Sequence, residues 1–143
     1  MSMFKLKCNQ DEMLEMLSSQ LMFAEEAVTA GVYATFQDTG FFASSRHVVI
    51  GYVGLTNRNR LIAIRAGMLK TEPFSTDLSY ITKIKVKKTL FGMWQVYLEY
   101  FAERAYKLKF TVSPKILGAK FPNQRANTDY LIQTLQGCSP AGR

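Results

Sequence analysis

The side chains that most often carry chemistry are few in this chain, and their spacing does not bring them together. His47 is the only histidine, and no Cys/His cluster or His-Glu-x-x-His spacing accompanies it to hold a metal. No Gly-x-Ser-x-Gly elbow, Walker loop or Gly-x-Gly-x-x-Gly turn occurs. Asp38, Glu72 and Asp77 fall in segments that read as loops, where a solvated acid is the default and no paired carboxylates are evident. Cys8 and Cys138 stand near opposite ends, so they read as reduced bystanders and not as a disulfide framework. The expectation is a chain with no catalytic residue, no metal site and no cofactor.

What remains is charge. Residues 80–143 hold 11 Lys+Arg and 3 Asp+Glu, against 7 and 8 in residues 1–79, so the formal net charge of +7 resides in the second half. If 81–88, 93–101 and 106–112 form a meander of strands, their outward positions share one face. That face carries Lys85 and Lys87, then Gln95, Tyr97 and Glu99, then Lys107 and Lys109, with Lys88 and Arg104 near the turns. These six cations are the candidate site for an anion or acidic lipid. The face offers one aromatic, Tyr97, and no RNA- or DNA-binding motif, so nucleic acid is not expected.

Two apolar features are candidate contact surfaces. Leu90 and Phe91 stand in a turn, where large apolar residues are unusual. Phe91 is therefore a candidate for contact with a membrane or a partner, although folding back of both residues over the mouth of a barrel is the expected outcome. Met13, Leu17 and Leu21 form a stripe at helical spacing near the N-terminus. Such a stripe must pack on the sheet, on another subunit or on a membrane.

The elements that position these residues follow from periodicity. Residues 9–24 read as a helix, with Asn9 and Glu12 in capping-box spacing. Residues 27–37 alternate, with Val28, Ala30, Val32, Ala34 and Phe36 on one side. Residues 48–56 and 60–66 form a hairpin turned by Asn57, Arg58 and Asn59, since Asn tolerates the left-handed backbone. A connector with one short strand near 72–75 follows. In the strand 93–101, Trp94 shares parity with Val96, Leu98 and Tyr100 and is expected in the core. Pro114 ends the sheet, and Pro122 opens a last helix over about 123–136 with Leu131 and Leu135 on one face.

At 48% hydrophobic residues the chain can bury one real core, and no run reaches the roughly 18–20 apolar residues that span a bilayer. The first residues lack the order of a secretory signal, so a cytoplasmic location is expected.

Several strands followed by one closing helix is the order of a pleckstrin-homology barrel. The chain resembles bacterial pleckstrin-homology-like and GRAM-like domains. The resemblance rests on Gly51-Tyr-Val-Gly-Leu-Thr-Asn-Arg-Asn-Arg-Leu61, on Ile81-Thr-Lys-Ile-Lys-Val-Lys-Lys-Thr-Leu-Phe-Gly92 and on Phe121-Pro-Asn-Gln124. It implies a mainly β fold: a barrel of two near-orthogonal antiparallel sheets over residues 26–136, capped by the C-terminal helix. Residues 1–25 would be a helical extension and 137–143 a disordered tail. The best-known ligand of the superfold is a phosphoinositide head group, held by several Lys and Arg of the first two strands. The matching segment 28–54 offers only Arg46 and His47, so that ligand is not carried over. The expected function is a non-enzymatic interaction module that self-associates or binds a protein partner. The alternative is a peripheral membrane module that binds acidic lipid through the basic sheet face.

Overall fold

A computed structural model of the chain describes residues 9–37, 48–66, 71–101, 105–114 and 121–138. The elements run α1 (Gln10–Ser18), β1 (Val28–Gln37), β2 (Val48–Thr56), β3 (Arg60–Ala66), β4 (Thr71–Asp77), a 3-10 turn (Leu78–Tyr80), β5 (Ile81–Lys88), β6 (Trp94–Phe101), β7 (Ala105–Val112) and α2 (Gln124–Gly137). All strands belong to one antiparallel seven-stranded sheet, in the order β4-β3-β2-β1-β7-β6-β5. The link between its halves is narrow. β1 meets β7 through Thr35 with Thr111 and Phe36 with Phe110, whereas β1 and β2 pair along nearly their whole length.

One buried cluster draws on both halves. Val32, Phe36, Val53 and Leu61 join Ile84, Leu98 and Phe110, and Leu131, Ile132 and Leu135 of α2 complete it. α2 packs on β1 and on β5, which lie three places apart in the sheet order. A flat sheet would not allow that, so the sheet curls around the helix.

A second cluster lies on the other face of β1–β3. Met13 and Leu17 of α1 pack there with Tyr52, Ile62, Ile64 and Phe121. Gly31 and Gly54 face each other across β1 and β2, and a Cβ on either would come within 2.9 Å of a Leu17 methyl. The paired glycines thus make the hollow that seats the helix. The Tyr52 hydroxyl also donates to the Glu12 carboxylate, 2.6 Å away.

α1 ends at Ser18, six residues short of the expected end. Its start holds: the Asn9 side chain accepts from the Glu12 N–H at 2.7 Å. Past Ser18 the ladder tightens: the Gln20 and Leu21 N–H groups donate to the Leu17 and Ser18 carbonyls three residues back, and the Ser19 hydroxyl donates to the Met16 carbonyl. The N–H groups of Met22 and Phe23 then donate to the Glu26 carboxylate. β4 is longer than expected, spanning Thr71–Asp77 with Pro73 inside it. As an edge strand it accepts a residue that has no N–H to give.

The hairpin expected from Asn57–Asn59 forms, with Asn59 in the left-handed region at φ 58°. Its tip grips the chain before β1. The Asn57 side chain accepts from the Ala27 N–H and donates to the Glu25 carbonyl. Arg60 bonds both oxygens of Glu26 at 2.9 and 3.0 Å, and the Thr56 hydroxyl donates to Glu26 at 2.7 Å. Both charged side chains are almost wholly buried. Burial alone disfavours the Glu26 carboxylate. The donors from Met22, Thr56, Arg60 and Phe23 outweigh it and hold the pKa at about 2.

Candidate functional site

The outer face of β5–β7 presents its side chains in cross-strand rows. Lys83 pairs with Glu99 and Glu99 with Lys107; Lys85 pairs with Tyr97 and Tyr97 with Lys109; Lys87 pairs with Gln95 and Gln95 with Thr111. The five lysines are all exposed. α1 covers the outer face of β1–β3, not this one.

Glu99 is the one carboxylate in these rows, and it is already engaged. The Tyr97 hydroxyl donates to it across one face of β6. That bond first, and then the charges of Lys83, Lys107 and Lys85, hold its pKa below the ordinary carboxylate value. The same bond raises the Tyr97 phenol. The face thus sets five lysines around one carboxylate.

Lys85, Lys87, Lys107 and Lys109 share the expected face. Lys83 belongs with them, although the site read from the sequence omits it. The signal was available in the parity of 83, 85 and 87. Lys88 departs from the group: its parity is opposite, and its Nζ sits 5.5 Å from the centre of the Trp94 ring. Arg104 and His47 lie outside the described residues, as do Arg46, Asp38 and Cys8.

Two expectations about apolar residues are corrected. Leu90 and Phe91 do not fold back over the strands; they are 101% and 87% exposed at the tip of the β5–β6 hairpin. Trp94 packs against the core but is only half-buried, because it sits at the first position of β6, next to that tip. Met13 and Leu17 are fully buried against the chain's own sheet and Leu21 partly so, which leaves the first two no free surface to offer a partner.

Two of the acids read as loop residues serve the fold. Glu72 pairs with Arg65 across β3 and β4 at 2.7 Å. Asp77 caps the 3-10 turn by accepting from the Ser79 N–H and hydroxyl. An open cleft of about 460 Å³ lies between that turn and the end of α2, lined by Asn59, Asp77, Ser79, Thr134 and Cys138. Among the described residues no group of three His, Cys, Asp or Glu is placed to hold a metal. No helix among them is long and apolar enough to cross a membrane.

No protein-family description and no curated protein matches the chain. Among solved structures the chain is similar to the hSac2 domain from human phosphoinositide phosphatase Sac2. The TM-score is 0.54 at 16% identity, over 89% of this chain and 81% of that one. That domain has a pleckstrin-homology-like fold, and the likeness is one of fold.

Proposed function

We propose that this chain is a non-catalytic pleckstrin-homology-like module of the bacterial GRAM-like kind, and that it adsorbs to anionic membrane surfaces through the outer face of β5–β7. In this reading the sheet is a barrel of two halves, hinged where β1 meets β7 and plugged by α2. The observation that carries the function is the open face itself, with Lys83, Lys85, Lys87, Lys107 and Lys109 in register around a single, already bonded carboxylate. A fold shared with a domain of a phosphoinositide phosphatase is compatible with work beside lipid. The lysines are spread over a sheet and enclose no pocket, so the attraction is to charge density and not to one head group. A cytoplasmic protein of this kind would visit the membrane without crossing it.

The magnitude is modest. At about 1 kcal/mol per cation near an anionic surface, five lysines less one carboxylate give about 4 kcal/mol, a millimolar-scale affinity. Retention on vesicles containing acidic lipid should fall steeply as salt rises from about 0.05 M to about 0.5 M. Charge reversal should weaken it step by step through Lys85→Glu, Lys109→Glu and Lys107→Glu. A protein that acidic vesicles fail to hold at low salt has a basic face that serves solubility alone.

A second reading, contact with a protein partner or a second copy, is favoured by the opposite end of β6. There Tyr80 and Phe101 are more than half exposed. Light scattering tests it directly: a mass that rises with concentration and returns to that of one chain in Phe101→Ser supports it.

A further inference from the structure

We infer that the β5–β6 hairpin tip inserts its Leu90 and Phe91 side chains into the anionic bilayer, below the plane at which the lysine face adsorbs. This rests on the membrane reading above and adds to it a site, a depth and a second source of affinity.

The first observation is that the exposure is built into the loop. The Thr89 N–H donates to the Met93 carbonyl at 2.8 Å and the Gly92 N–H to the Thr89 carbonyl at 3.1 Å. The Thr89 hydroxyl accepts from the N–H groups of Phe91 and Met93 at 3.3 and 3.2 Å. Gly92 takes φ 80°, a conformation other residues rarely adopt. A loop tied this closely is ordered before binding, so little conformational entropy is lost when it docks. It nevertheless holds two large apolar side chains wholly in water, which a tip serving only to turn the chain does not require.

The second observation is charge complementarity, and it selects the occupant. From residue 78 to residue 98 the chain has four lysines and no acid. Lys87 and Lys88 directly precede the tip, and Trp94 closely follows it. Lys88 lies over the Trp94 ring, so an ammonium and an indole are placed together one step behind the apolar tip. An apolar tip backed by an indole and an ammonium at one level matches the change in polarity met on passing from acyl chains to head groups. A protein groove that takes Leu and Phe would not by itself require a collar of cations without acids. The weak charge-driven affinity points the same way, since durable peripheral attachment generally needs a second, apolar contribution.

The test uses the full chain and vesicles of phosphatidylcholine with about 30% phosphatidylserine. Trp94 is the only tryptophan, so its emission reports on the tip. Binding should shift that emission to the blue, and lipids brominated on the acyl chain should quench it. Leu90→Ser/Phe91→Ser changes only exposed residues. It should leave the circular dichroism spectrum intact and weaken binding by roughly tenfold per residue. It should also abolish the quenching, and make the remaining adsorption wholly salt-sensitive where the parent keeps a salt-resistant fraction.

If the double variant binds as tightly as the parent and neither is quenched, insertion is overturned while the charged-face reading survives. If Lys85→Glu/Lys109→Glu leaves binding unchanged and the tip variant loses it, the charged-face reading fails and insertion stands. If the parent ignores vesicles but shows concentration-dependent association that the tip variant loses, the tip docks on protein and the inference is wrong.

Discussion

Glu26 and Arg60 form the buried ion pair on which the start of β1 depends, and neither announces itself as such in the sequence. Replacing Glu26 by Ala leaves a guanidinium in the interior without its counter-charge, which should cost about 3–5 kcal/mol in denaturant titrations. The pH dependence has a defined sign. A carboxyl at about 2 in the folded chain and near 4.5 when unfolded stabilises the fold fully above pH 4.5, and that contribution is lost as pH falls toward 2. It should amount to a loss on the order of 1–3 kcal/mol, measurable as a falling urea midpoint, and Glu26→Gln should flatten that part of the profile. Trp94 supplies a second residue-scale expectation. Being half-buried at a strand end, Trp94→Ala should cost about 1–2 kcal/mol, less than the 3–5 typical of a fully packed aromatic. Its emission maximum should lie between the buried and the exposed extremes. Alternation in 94–100 gave its parity correctly but could not show that the strand begins at that residue, where the core thins out.

At the scale of elements, the strands were legible where one face is dry and the other wet. β5, β6 and β7 alternate because water covers their outer face, and their register puts the lysines where parity placed them. β2 and β3 read differently. Tyr52, Val53 and Leu55, and then Leu61, Ile62, Ala63 and Ile64, run without alternation, because α1 buries the face that would otherwise be polar. That unbroken run was a sign that a cover existed, and the stripe of Met13 and Leu17 was the cover. What periodicity could not supply was the end of α1, where the Ser19 hydroxyl donates to the Met16 carbonyl and the next N–H groups turn to nearer carbonyls and then to Glu26. Removal of residues 1–24 should therefore lower stability and expose Tyr52, Ile62 and Ile64. The expected result is a lower thermal midpoint together with concentration-dependent association in light scattering. An unchanged midpoint would mean that Met13 and Leu17 contribute nothing by their burial. The candidate face was legible from charge and parity; the posture of Leu90 and Phe91 was not, because a turn's side-chain directions depend on bonds such as those of Thr89.

Across the whole molecule, the narrow seam between β1 and β7 is reinforced by two amides. β1 and β7 pair over so few residues that the backbone of Tyr33 needs other partners. The Gln124 side chain supplies them, accepting from the Tyr33 N–H at 2.9 Å and donating to the carbonyls of Tyr33 and Ser113. Asn127 donates to the Gly31 carbonyl at 3.0 Å. The short motif ending in Gln124 thus has a structural meaning: a helix-borne amide acts as the missing rung of a ladder. Gln124→Ala should cost about 1–2 kcal/mol, since it removes three hydrogen bonds to part-buried backbone groups, and amide exchange should quicken first at Tyr33. The partners stand 91 residues apart along the chain, which has a consequence in time. During synthesis all seven strands precede α2, so a chain stopped before Gln124 should lack these bonds on β1 and should associate more readily than the full chain, as light scattering would show. Contacts this distant in sequence also close late, so this protein should fold slowly for its size and rely on chaperones most just before α2 emerges.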